Sequence, residues 1–568
     1  MLPRQKRVRR AALSAVGVTM AAVVVALLVR RPTIVKDLTV VADGQFGIRL
    51  WEVARNAFAR GDGFPGWDRS VCAGHPFVGN PDAQLLSSLV AGVFGVHGDV
   101  MARWYPTIGV ALAVAGTFLW TRRALGLAWL PALFAGALFG ASGFLGLHTA
   151  VRMTFVPFAL IPWALWLAHE AERDLRAALG LGAALALMLI EGGLFPFCFA
   201  LVALTCALIP RVFAAGVGVV SRIVAVAAIT CLLLGAIKIF PVMAQLARAP
   251  RVVKDLDAGP FTDLIPMLGD ADRGAMPGRH YHINEFRGYI GPFAFGMAIA
   301  GAGVALILKP RRIGLLLILI GAAVLTRGRF ADWAPWTLLT RVPVFDQLQV
   351  PSRFVLVVDL AAAAAAAVAL DASMRAVKRR ALMVPLLIAA VIAVLDPIAA
   401  GQKILKANTT DAWLPRPDPK PARYHLVAGD DFGRMATYPG RNVGTPACQK
   451  VWPYPEGGGY AIGDVPQASA DDGEIARADV RQNGATIEAT LRKPGAAHLN
   501  QTFDPDFVAS IGQVRRSAKG TLDVLLPAGS HRLEVRYRPK GLLSGMIVTS
   551  MGVLGAIAAL VFLRKRAR

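Results

Sequence analysis

Residues 11–29, AALSAVGVTMAAVVVALLV, form an unbroken apolar run, and residues 37–82, DLTVVADGQFGIRLWEVARNAFARGDGFPGWDRSVCAGHPFVGNPD, follow it almost at once. The first run is long enough to cross a hydrocarbon core as a helix. The second is its opposite, crowding carboxylates, glycines and a Pro65-Gly66-Trp67 turn into a chain that is otherwise mostly apolar. Together they predict a membrane fold arranged around its first external loop.

The chain has 568 residues, of which 55% are hydrophobic and 17% charged. Its apolar residues recur in blocks of membrane-crossing length, which predicts a polytopic α-helical membrane protein. Twelve spans are expected: Ala11–Val29, Ala102–Trp120, Leu127–Leu147, Phe155–Ala168, Ala177–Ile190, Leu194–Ile209, Val220–Ile239, Tyr289–Leu308, Gly314–Leu325, Phe354–Leu370, Leu382–Leu395 and Leu542–Leu563. The formal net charge of +24 invites a nucleic-acid reading. Its Lys and Arg residues cluster at the ends of apolar blocks, however, where they orient a membrane protein, so nucleic acid is excluded as a partner. Residues 1–10 are basic and no small-residue cleavage site follows the first run, which reads as an uncleaved anchor. With the N-terminus inside, every inside turn is basic, and both termini are expected in the cytoplasm of a bacterial inner membrane.

This organisation divides the chain into a multi-span region, 1–395, with its first external loop at 30–101. An external β-region follows at 396–540, and a final span with a basic tail at 541–568. In the loop, Phe46, Leu50, Val53, Ala54 and Ala57 fall at helical spacing with Arg49, Glu52, Arg55 and Asn56 between them, as in an amphipathic helix on a membrane surface. Residues 83–96 are too short to span and read as a re-entrant or interfacial piece. The β-region opens proline-rich, and Ile487, Ala489 and Leu491 then alternate with polar residues after an Asn483-Gly484 turn. The stretch TLDVLLPAGSHRLEVRYRP reads as a hairpin through Pro527–Ser530, and the whole as a small sandwich.

Asp43, just past the first span, is the leading catalytic candidate. At the water interface a carboxylate stays ionised and still reaches a lipid headgroup. Sugar transfer from a lipid phosphate needs one base to take the acceptor's proton, while the phosphate departs as an anion. The plainer account of Asp43 is a helix N-cap, and its spacing alone favours that account. Asp37, Asp62, Asp68 and Asp82 are secondary candidates for a base or a metal ligand, with the turn reading favoured for Asp62 between its two glycines and open to Asp68 as well. His148 and Arg152, where a span emerges, suit a phosphate as well as they suit lipid headgroups. Arg353, in VPSRF before another span, is a third phosphate candidate because a guanidinium grips phosphate bidentately. Glu191 and Lys238 are ionisable residues within apolar surroundings, and the turn reading is favoured for Glu191. Cys72 and Cys448 both fall in expected external regions, and the sequence leaves open whether they pair.

Asp43-Gly44-Gln45 and the later GFPGWDRSVCAGHPFVGNPDAQ resemble the first external loop of the YfhO-like bacterial membrane proteins. Similar too are the His148 corner followed by Pro157 and Pro162-Trp163, Tyr289-Ile290-Gly291, VPVFDQLQVPSRF and the closing DVLLPAGSHRLEVRYRPKGLLSGMIVTS. The resemblance implies a glycosyltransferase of the GT-C superfamily, multi-span and inverting, taking a sugar from a polyprenyl-phosphate donor to an envelope glycan, lipid or protein. It also implies that Asp43 is the base. Asp68 stands where the family pattern has Asn, and Gly66 where a larger residue is common. The adjacent acidic pair of several GT-C families is missing, so the resemblance leaves a divalent metal undecided. A lipid-linked-sugar flippase and a non-catalytic envelope scaffold are the alternative readings.

Overall fold

The computed structural model describes residues 3–35, 39–40, 43–148, 152–251, 253, 257–271, 285, 287–308, 312–377, 379–407, 409–410, 423–429, 434–448 and 459–566. All twelve apolar stretches carry helix. Among the described residues, six helices are long and apolar enough to cross a membrane: Leu13–Val35, Leu194–Ala215, Val217–Arg248, Pro351–Ala376, Ala381–Ala407 and Leu542–Lys565. Four shorter apolar helices, Trp129–Ala141, Arg176–Ile190, Pro292–Ile307 and Ile313–Thr326, stand with them. The chain is a multi-pass membrane protein with a β-rich region near its C-terminus.

The helix Val355–Ala376 is the hub, with every residue from Val355 to Val368 buried. Its run Ala361–Ala367 has no side chain beyond a methyl, which lets the helix Pro292–Leu308 come very close. A Cβ added at Gly301 would stand only 1.8 Å from the Ala365 carbonyl oxygen. The last helix, Leu542–Arg566, lies along Val217–Arg248, where Thr549 Oγ1 accepts from the Ile237 N–H at 3.0 Å.

The first loop folds as a helix, Asp43–Ala59, a short antiparallel pair, Trp67–Asp68 with His75–Pro76, and a second helix, Leu85–Val93. The expected surface helix is instead enclosed on nearly all sides. Ile48, Leu50, Trp51 and Val53 are buried, and so are Arg49, Glu52 and Asn56 from the supposed polar face. Burial is tolerated because those polar groups meet partners inside the loop. Helix Leu85–Val93 leaves Leu86, Leu89 and Val93 exposed along one stripe, the pattern of an interfacial segment.

The β-rich region holds two four-stranded antiparallel sheets that share one core. One sheet runs Gln513–Arg516, Thr521–Leu526, Gly495–Thr502, Ala468–Ala470, and the other Phe507–Ala509, Gly529–Tyr537, Gly484–Leu491, Gly473–Arg481. Ala485, Ile487, Ala489 and Leu491 point inward, as alternation required, against Leu522, Val524, Leu533 and Val535. The expected hairpin at Pro527–Ser530 is not formed. Thr521–Leu526 and Gly529–Tyr537 lie in opposite sheets, because both strands carry an apolar row and each row covers one side of the core. A hairpin does form where Gln482 and Asn483 join Gly473–Arg481 to Gly484–Leu491.

The loop and the sandwich are built into each other. Trp67 sits in the sandwich core, its ring centre 4.8 Å from both Phe507 and Tyr537. The Asn483 side chain accepts from the Gly66 N–H at 2.6 Å and donates to the Asp62 and Phe64 carbonyls at 3.1 and 3.0 Å. A disulfide joins Cys72 to Cys448 across a sequence separation of 376. Gly74, at φ +113°, has no room for a side chain, since a Cβ there would lie 2.4 Å from Trp67 Nε1.

Candidate functional site

Asp43 is the first residue of its helix. The side chains of Asp43 and His148, and Asp37 altogether, lie outside the described residues. What surrounds that helix start is described. A Cβ added at Gly47 would reach Met153 Cγ at 2.6 Å, so the helix packs against the residue next to Arg152. Asp43 lies one turn earlier, about 6 Å along the axis.

Arg152 precedes the 3₁₀ turn Met153–Leu160, and Arg353 lies within another, Pro351–Phe354. Both reach the same carboxylate. Arg152 Nη2 donates to Glu285 Oε1 at 2.5 Å, while Arg353 donates to Oε2 through Nη2 at 2.5 Å and Nε at 3.0 Å. Phe155 and Phe195 lie under the Arg353 guanidinium, 5.1 and 4.8 Å from ring centre to Cζ. These faces exclude water, which strengthens every charge interaction above them. Arg251 stands within electrostatic reach of Arg152 and of Asp82; burial lowers its pKa, and the nearby positive charge of Arg152 lowers it further, against the opposing pull of Asp82. Two of the three predicted phosphate residues are thus brought together, and the corner holds a third arginine.

Sequence reasoning missed Glu285 and Arg251. Glu285 is 133 residues from Arg152 and 68 from Arg353, so no local pattern marks it. The available signal was a lone acid in HINEFRG, ahead of a span and beside an arginine.

Asp68 is occupied elsewhere. It is fully buried in an ion pair with Arg49, accepts from Ser70 Oγ and N–H at 2.5 and 2.9 Å, and has His75 Nε2 at 3.3 Å. Burial alone would raise its pKa, but Arg49, His75 and Ser70 outweigh burial and hold the carboxyl well below the usual range. A carboxylate so stabilised is a poor proton acceptor. Asp82 is partly buried at a turn, its N–H donating to Asn80 Oδ1 at 3.0 Å.

Glu191 and Lys238 both serve the loop's lower side. Glu191 accepts from the Ser87 N–H at 2.9 Å and the Tyr105 hydroxyl at 2.7 Å. Lys238 Nζ donates to the Asn80 and Ala83 carbonyls at 2.6 and 2.7 Å. Gly192, at φ +68°, lets the backbone at Asp82 come close enough that a Cβ would lie 2.5 Å from its carbonyl oxygen. Among the described residues no group of three or more His, Cys, Asp or Glu side chains is placed to hold a metal ion.

No protein-family model matches the chain, and no curated protein matches it. Solved structures do. The cryo-EM structure of the arabinofuranosyltransferase AftD from mycobacteria aligns at 16% identity and a TM-score of 0.45, and two classes of an AftD mutant align at 17 and 18% with scores of 0.48 and 0.45. The alignments cover 75% of this chain and 31–32% of those chains. This chain therefore spans about a third of the length of the structures it matches, and a likeness of this degree transfers no residue and no activity.

Proposed function

We propose that the chain is a GT-C type glycosyltransferase with twelve spans and both termini in the cytoplasm. It moves a sugar from a polyprenyl-phosphate donor to an envelope acceptor on the outer face of the inner membrane. One observation carries this reading: Arg152 and Arg353, from separate segments, converge on a single carboxylate, and the turn that follows Arg152 packs against the helix that Asp43 begins. Two guanidiniums aimed at one pair of oxygens form a seat for a doubly charged anion. Glu285 fills it in the absence of donor and gives way to the donor phosphate. The Cys72–Cys448 bridge supports an oxidising, external location for the loop and sandwich.

In this account the arginines hold the phosphate while the acceptor hydroxyl approaches the anomeric carbon from the opposite side. Asp43 takes the hydroxyl proton as the new bond forms, the phosphate leaves as an anion without needing a proton, and the configuration inverts. Alignment of the reactants supplies much of the acceleration. The test is transfer by the purified protein in lipid vesicles, with a panel of polyprenyl-phosphate sugars. Arg353→Ala should raise donor KM about tenfold or more, as expected for a lost charge-assisted contact. An unchanged donor KM removes Arg353 from the phosphate seat.

A further inference from the structure

A second site lies at the other end of the loop helix. A cavity of about 380 Å³ opens where the first loop meets the β-rich region, within the size range of small-molecule sites. Arg60, Arg69, Arg423 and Arg481 line it together with Asp62 and Asp479, and Arg481 Nε donates to Asp479 Oδ2 at 3.1 Å. Arg60 and Arg69 turn toward each other, both donating to Asn442 Oδ1, at 2.6 and 2.5 Å. That amide oxygen is neutral, so the charge on the pair is offset only in part, by the nearby Asp62 carboxylate and, at Arg69, by Asp479. Arg69 is fixed further by donating to the Val480 carbonyl at 2.5 Å. Burial brings its pKa down to about 10, so the cavity holds a partly desolvated cation at its base.

We infer that this cavity binds an acidic saccharide, its carboxylate or phosphate held by the arginines and its hydroxyls by Asp62 and Asp479. The chemistry of the walls selects that class. Excess positive charge calls for an anion, and carboxylates within the same wall call for hydroxyl donors on the same ligand. The aromatic face of Tyr424 is covered by Arg69, 4.5 Å away, so a nucleobase finds no stacking surface. Ala478 and Val480 supply too little apolar wall for an acyl chain. Arg60 follows directly after the helix that begins at Asp43, about 26 Å away along a 17-residue helix. Resting on the transferase reading, the cavity is then a remote hold on an acidic acceptor glycan.

The experiment is calorimetric titration of the full chain in detergent with tetragalacturonate as probe and maltotetraose as its neutral counterpart. Saturable binding of tetragalacturonate is expected, with maltotetraose bound about tenfold more weakly or not at all. The double variant Arg423→Ala/Arg481→Ala changes two exposed side chains, folds normally and should weaken tetragalacturonate about tenfold or more. Absence of saturable binding, equal binding of the neutral sugar, or an undiminished double variant overturns the inference. Arg353→Ala should bind tetragalacturonate as the unaltered chain does, so failure here and failure of the transfer reading are recorded separately.

Discussion

Arg353 Nη2 lies 2.5 Å from Glu285 Oε2, an ion pair in which the arginine side chain is 2% exposed and the glutamate 18%. Arg152 reaches the other oxygen of the same carboxylate, which therefore occupies the place proposed for the donor phosphate. Glu285→Gln should therefore tighten the site for anions, lowering the inhibition constant of inorganic pyrophosphate against transfer. An unchanged constant would mean that Glu285 does not compete with the donor.

The Arg49–Asp68 pair is fully buried, and losing one partner strands the other. Asp68→Asn should destabilise the protein by about 3–5 kcal/mol, read from thermal unfolding in detergent. A loss below about 1 kcal/mol would show the pair to be solvated and would reopen Asp68 as a base.

Trp67 ties the loop to the sandwich by filling its core. Trp67→Ala should cost about 3–5 kcal/mol and expose the β-rich region to limited proteolysis. If the sandwich stays resistant, it folds independently of the loop.

His498 sits between Asp471 and Asp523, 2.7 Å from an oxygen of each, with Arg515 on the far side of Asp523. Burial pulls its pKa down, but hydrogen bonds to Asp523 and Asp471 outweigh burial and raise it above 6.5. A raised folded value means that charged His498 contributes stability fully below the unfolded value of about 6.5, and that the contribution fades as pH rises through the folded value. Thermal stability of the β-rich region should accordingly fall as pH rises from about 6.5 through the raised folded value, and His498→Gln should flatten that slope. A wild-type profile without the slope contradicts the assignment.

Much of this architecture is written in local periodicity. Apolar runs announced the helices by length, and alternation at Ile487, Ala489 and Leu491 announced the sandwich face. What stayed hidden is non-local. The polar residues of Asp43–Ala59 resembled a wet face, yet Arg49 is paired with Asp68 across a turn that periodicity does not encode. The Pro527–Ser530 stretch resembled a hairpin turn, while its flanking strands were claimed by different sheets. At the site, Arg152 and Arg353 were legible from residue type at the ends of apolar runs. Glu285, which joins them, was not, since only the tertiary fold brings it between the two.

The central claim is that Asp43 is the base of a sugar transfer, and Asp43→Asn tests it most directly. The amide keeps the side chain's shape and most of its capping ability but cannot take a proton. Loss of general-base catalysis lowers the rate about a hundred- to ten-thousand-fold, whereas loss of a helix cap costs only about 0.5–2 kcal/mol of stability. Measured as transfer from a polyprenyl-phosphate sugar, the variant should express and melt like the unaltered protein while its kcat collapses. Near-normal kcat would contradict the claim and return Asp43 to the role of a cap.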